Sequence, residues 1–148
     1  MSGAVVDVGT LLPHAGAMVL LDRILDWDGA IISCAASSHR DGSNPLRHGE
    51  RLPALSGVEY AAQAIAAHRV LAGGAGPVAP LQGRLAAIRN LRLFVDRLDD
   101  VVGDVTVSAQ TLLVDGGRAI YDFTIDAGNR RLLQGRATVV VLEPEPDA

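Results

Sequence analysis

Between Pro53 and Leu71 the chain reads Pro-Ala-Leu-Ser-Gly-Val-Glu-Tyr-Ala-Ala-Gln-Ala-Ile-Ala-Ala-His-Arg-Val-Leu, an apolar, small-residue run with polar interruptions at few positions. Alanine has the highest helix propensity, and small side chains let a helix approach its neighbours closely, so this pattern predicts one long buried helix ending at Gly73-Gly74. Most of the remaining apolar residues fall in shorter, strand-like runs separated by turn residues. Met18–Trp27 and Ala30–Ser37 are apolar runs separated by Asp28-Gly29, a strong hairpin signal. A polar stretch from Ser38 to Leu52 separates them from the helix and is long enough to suggest more than a connection. After the link Gly73-Gly74-Ala75-Gly76-Pro77, Arg84–Val95 predicts one strand, or two joined by a bulge. Val101–Val114, Arg118–Ile125 and Leu132–Leu142 follow as strands, with turns at Asp115-Gly116-Gly117 and Asp126-Ala127-Gly128-Asn129, so the second half reads as an antiparallel meander. Asp7–Leu12 suits a short helix stopped by Pro13.

The count of about six antiparallel strands and one long helix predicts an α+β domain, a curved sheet wrapped around a single central helix. Such a sheet covers its helix only in part, and a second subunit is expected to complete the cover. The 148 residues suffice for one domain, placed at 1–142, with Glu143-Pro144-Glu145-Pro146-Asp147-Ala148 as a solvated acidic tail. The core is expected to be aliphatic, with Trp27, Tyr60, Phe94, Tyr121 and Phe123 as its few large pieces. A formal charge of −4 argues against a nucleic-acid binder, which needs a surplus of cations to neutralise phosphates. Cys34 has no second cysteine to pair with, and its apolar surroundings mark it as a packing residue. The start of the chain lacks a basic segment followed by an apolar run, and no stretch of about eighteen apolar residues occurs, so no membrane insertion and a cytoplasmic location are expected.

Two blocks carry chemistry. Leu12-Pro13-His14, followed after a three-residue gap by Met18-Val19-Leu20-Leu21-Asp22-Arg23-Ile24, resembles the start of the FabA/FabZ-type 3-hydroxyacyl-(acyl carrier protein) dehydratases. Pro53, Glu59 and Gln63 resemble the proline, catalytic acid and glutamine of that family's central helix at the same separations. The run from Leu52 to Gln63 is similar, more narrowly, to the dehydratase-like subunits of aryl polyene type pathways. The resemblance implies the hotdog fold and elimination of water from a 3-hydroxyacyl thioester to give the trans-2-enoyl product. It also implies a substrate carried on the phosphopantetheine of acyl carrier protein, with no other cofactor, and a site shared between two subunits. Histidine acts as base at C2, and an acid, here Glu59, protonates the departing hydroxyl. Gly57 would let substrate approach the helix start closely, and Gln63 is placed as a substrate-binding or buried hydrogen-bonding residue.

The pattern breaks at the histidine. Counting back from Glu59, the family's histidine position falls on Pro45, which cannot exchange a proton. His48 lies three residues closer to the helix and His39 six residues further away, and either could serve only with a different loop path. The other resolution is a different hotdog partner that supplies the histidine, with Glu59 completing the partner's site; homodimer and heterodimer both stay open. Glu59 also has a structural reading, because Ser56-Gly57-Val58-Glu59 has capping-box spacing; Pro53 as first helical residue would instead put Ser56 inside the helix and Glu59 toward the interior. His14 suits a structural hydrogen bond, and His68, nine residues beyond Glu59, falls on a nearly opposite helix face. The histidines and cysteine have no metal-ligand spacing. All cationic side chains are arginine, and Arg84, Arg89 and Arg92 suit either a solvated strand face or contact with an acidic carrier or its phosphate. Two alternative functions share this architecture: a hotdog acyl thioesterase using the same acid to activate water, and a noncatalytic subunit stabilising a catalytic partner.

Overall fold

The computed structural model describes residues 19–72 and 82–142, without the side chains of 82–84 and 141–142. The expected short helix at 7–12, His14, the link at 73–77 and the tail at 143–148 lie outside the described residues. Six strands form one antiparallel sheet: β1 (Arg23–Trp27), β2 (Ile31–Ala36), β3 (Gln82–Leu93), β4 (Val105–Asp115), β5 (Arg118–Ala127) and β6 (Arg130–Leu142). Their order is β1-β2-β4-β5-β6-β3. One helix, α1 (Gly57–Ala72), follows a 3-10 turn over Ala54–Ser56 and touches β2, β3, β4, β5 and β6.

Alternation decides which face meets the helix. Val105, Val107 and Ala109 on β4 are buried, as are Ala119, Tyr121, Phe123 and Ile125 on β5, while the residues between them turn outward. From the other side α1 contributes Val58, Tyr60, Ala61, Ala64, Ile65 and Ala67. The smallness of these residues matters most at Gly57. A Cβ there would lie 2.7 and 2.9 Å from the Leu133 methyls and 3.0 Å from Ile125 Cδ1, so the helix start rests directly on β5 and β6. Cys34 on β2 is fully buried among this core, and burial pushes its thiol up to about 12.

Two details differ from the sequence-based expectation, the place of β3 and the exposure of Phe94, while the expected hairpin forms. The Asp28-Gly29 hairpin forms, yet neither Gly29 nor Ala30 adopts positive φ; the Asp28 carboxylate closes the turn by accepting from the Ala30 and Ile31 N–H groups. β3 does not lead the meander, because it pairs with β6, the last strand. The segment after β3 crosses the helix start, where Leu98 N–H donates to the Leu52 carbonyl and Ala54 N–H to that of Asp96, and so carries the chain to the other side of the sheet before β4 begins. Phe94, expected in the core, is 49% exposed on that crossing, with the Arg92 guanidinium 5.8 Å from its ring centre. β3 also carries irregularities after Leu85 and Arg89, the second including Asn90 at φ 55°.

Candidate functional site

The start of α1 places the acid. Pro53 caps the 3-10 turn in an extended conformation (φ −61°, ψ 147°) rather than serving as its first helical residue, and Ser56 is the turn's last residue. The Ser56 N–H donates to the Pro53 carbonyl, so no capping box ties Glu59 back to it. Glu59 is the third residue of α1, at the end favoured by negative charge. Its side chain is exposed, not interior as the sequence suggested, and makes no hydrogen bond or ion pair among the described residues. Leu55, one turn earlier, is 57% exposed, and Ala62 and Ala66 below it are only half-buried. These four residues, at spacings of three and four, form a stripe running from the 3-10 turn along α1 that is more open than the faces packed on the sheet.

Gln63, next on the helix, is buried, and its Oε1 accepts the Leu20 N–H at 2.8 Å. It therefore anchors the segment preceding β1. Gly57 is likewise committed to packing, since the space beside its Cα is filled by Leu133. Gln63 thus takes the buried hydrogen-bonding role that the sequence offered it, whereas the packing role of Gly57 competes with the expected substrate role and was hidden from spacing because Leu133 lies far away in sequence.

The polar loop is held by a directed relay. Ser38 Oγ–H donates to the Leu20 carbonyl at 2.7 Å, so Tyr60 O–H must be the donor in the 2.7 Å bond to Ser38 Oγ. Asn44 Nδ2 donates to the Tyr60 oxygen and to the Ser38 carbonyl, while its Oδ1 accepts the Leu46 N–H. Burial raises the Tyr60 phenol above its ordinary value, although the Ser38 and Asn44 bonds pull the other way. Pro45, where the resemblance wanted a histidine, sits exposed between buried Asn44 and half-buried Leu46.

The described histidines go elsewhere. His48 is exposed in a tight turn, its backbone bridged to Arg51 in both directions across Gly49 (φ 65°). His39 is fully buried, with Nε2–H donating to the Val101 carbonyl. His68 is fully buried between Asp28 and Tyr121; its Nε2–H donates to the Asp28 carbonyl at 2.7 Å, so Nδ1 accepts from the Tyr121 hydroxyl. Burial lowers both pKa values, holding both rings neutral. The hydrogen bond to Asp28 opposes this shift at His68 without reversing it. One acid and no free base therefore share the open stripe.

A cleft of about 400 Å³ lies along the crossing segment, lined by Phe94, Val95, Asp96, Arg97, Asp100 and Arg130. It omits Glu59. Arg97 is engaged there by Asp99, whose carboxyl the guanidinium holds far below the usual carboxylate range and which also accepts the Leu52 N–H. No group of three or more His, Cys, Asp or Glu among the described residues could hold a metal ion, and no helix there is long and apolar enough to cross a membrane.

Comparison with known proteins adds what the geometry lacks. A family model described as ApeP-like, ApeP dehydratase, matches residues 6–148. Among solved structures, the dehydratase heterocomplex ApeI:P from Xenorhabdus doucetiae is similar at 24% identity over 93% of this chain and 92% of that one, with a TM-score of 0.80. AziG from S. sahachiroi is similar at 16% identity over 90% and 99% of the two chains, with a TM-score of 0.63. A thioesterase from Haemophilus influenzae is similar at 16% identity over 81% and 77%, with a TM-score of 0.59. No curated protein matches. The six-stranded antiparallel sheet and the helix packed on it, as the described residues form them, are those of the hotdog fold these structures share.

Proposed function

We propose, for a chain that belongs to the ApeP-like dehydratase family, that it supplies the acid half of a dehydratase site whose histidine comes from a different hotdog subunit. The observation that carries this reading is Glu59, unpaired and exposed on the open stripe of α1, while His39 and His68 are buried and engaged and His48 sits in an outlying turn. A protein of the same fold is named as part of a dehydratase heterocomplex, ApeI:P, and a pairing of two different subunits fits that name.

In the assembled site the partner's imidazole removes a proton from C2 of a 3-hydroxyacyl thioester. The electrons left behind form the C2=C3 double bond as the C3–O bond breaks, and Glu59 gives its proton to the departing hydroxyl, which leaves as water. The histidine then holds the extra proton and Glu59 the negative charge, and transfer from one to the other restores the starting state. A subunit laid across Leu55, Glu59, Ala62 and Ala66 excludes water from the acid, so that its proton passes to the leaving hydroxyl and not to solvent. The acyl group arrives on the phosphopantetheine arm of acyl carrier protein.

The test is reconstitution with a histidine-bearing hotdog dehydratase subunit. Glu59→Gln is expected to lower the enoyl-forming rate by about 100-fold or more while the mass of the assembly stays the same. His48→Ala is expected to leave the rate intact. Turnover by the isolated chain that His48→Ala abolishes would return the site to a homodimer. The similarity to a thioesterase supports a second reading, hydrolysis with Glu59 activating water, and free thiol in place of enoyl thioester would select it.

A further inference from the structure

β3 ends the sheet, and among the described residues no strand pairs with its outer edge over twelve residues. An edge of that length offers a row of free N–H and C=O groups to another strand, so what guards it decides what joins it. Its sequence, Gln82-Gly83-Arg84-Leu85-Ala86-Ala87-Ile88-Arg89-Asn90-Leu91-Arg92-Leu93, carries three arginines and no acid. Arg89 and Arg92 are exposed, and no carboxylate neutralises either among the described residues. The neighbour within the sheet offers no relief, because Arg89 stands opposite Arg136, which is itself paired with Asp122 on β5 and so leaves Arg89 without a counter-charge.

We infer that the arginines of β3 select the subunit that completes the sheet, disfavouring a second copy of this chain and favouring a partner whose edge strand carries carboxylates. Like charges opposite each other across antiparallel strands destabilise the pair, and opposite charges stabilise it. Antiparallel pairing of two copies lays the Arg89–Arg92 stretch of one edge alongside the same basic edge of the other, and the two-fold repeats each like-charge approach. An acidic edge meets the same arginines as partners. The inference rests on the reading of this chain as half of a two-subunit site. Its test reads mass rather than turnover, so the two fail separately.

The full chain is mixed with its own charge-reversed form, R84E/R89E/R92E, and the species are resolved by native mass spectrometry and sedimentation. The wild-type chain alone is expected to be largely monomeric at low salt. The mixture is expected to give the mixed dimer about tenfold above its statistical share at about 0.05 M salt, and to lose that preference near 1 M, where the screening length shrinks to about 3 Å. A statistical mixture at both salts, or no mixed dimer at any concentration tested, overturns the inference; so does a wild-type dimer whose mass ignores salt. A statistical mixture is also the result expected if the arginines serve an acidic carrier. Circular dichroism checks that the reversed chain folds. Should it not, R89Q/R92Q decides: self-association about tenfold stronger than wild type supports charge selection, and unchanged self-association overturns it.

Discussion

Gly57 meets two demands at one Cα. It opens α1, and it leaves room for the Leu133 methyls that a side chain would meet at 2.7 and 2.9 Å. Alanine gains up to about 1 kcal/mol of helix propensity over glycine, whereas overpacking an enclosed core costs about 1–3 kcal/mol, so packing wins. Gly57→Ala is expected to lower stability by about 1 kcal/mol, read as a lower urea midpoint with unchanged slope; a raised midpoint would show that Leu133 yields freely. The glycine was legible in the sequence, but its reason was not, since Leu133 lies on the last strand. Glu59 shows the same limit. Its chemical oddness within an alanine-rich helix was plain from composition, yet its exposure depends on how much of the helix the sheet covers. His68 was correctly set on a face opposite Glu59, because nine residues at helical pitch fix that relation.

At the scale of elements, the loop from Ser38 to Leu52 is the informative piece. Its polar composition and length marked it as more than a connection, and the relay from Asn44 through Tyr60 and Ser38 to the Leu20 carbonyl is what it contains. Tyr60 was expected only as core bulk. Its ring is buried as expected, but its hydroxyl sits where loop and helix meet, next to the residue that carries the acid. Tyr60→Phe keeps the ring and removes the oxygen, leaving an Asn44 donor and a Ser38 acceptor unmatched. The expected result is a loss of about 1–3 kcal/mol together with faster amide exchange across residues 38–52 and unchanged exchange in β5. Uniformly faster exchange would mean that the relay supports the whole domain rather than the loop. Pro45 explains why the pattern broke without disturbing this element: its neighbours Asn44 and Leu46 do the anchoring, and the exposed position between them is free to change.

For the molecule as a whole, most of the fold was legible because alternation and turn residues are local. The hairpin, the helix and the last three strands stand close to where the pattern put them, with β1 starting at Arg23 and not Met18 and α1 at Gly57 and not Pro53. The place of β3 was not, because it depends on the crossing over Leu52 and Ala54, a contact between distant segments. Acid sensitivity is likewise a property of the assembled core. Burial depresses the pKa of His39 and His68, so the folded state binds fewer protons than the unfolded chain once the pH drops below about 6.5, the ordinary histidine value. Their contribution to stability is therefore complete above that value and is lost as the pH falls toward the lowered folded pKa values. Unfolding free energy is expected to decline between pH 6.5 and 5 by as much as about 1.4 kcal/mol per pH unit for each histidine. His68→Gln can still accept from Tyr121 and donate to Asp28, so it should flatten the slope; an unchanged slope would assign the sensitivity to His39.

Cys34 gives the molecule a clock. It is the sequence's one thiol, fully buried on β2, and burial holds it protonated well past neutral pH. A thiol reagent in solution finds nothing to attack until the seam between β2 and α1 parts, and each opening exposes one sulfur once. The rate at which a chain is labelled thus counts its openings, and the ratio of that rate with and without a bound subunit measures how firmly the partner keeps the seam shut.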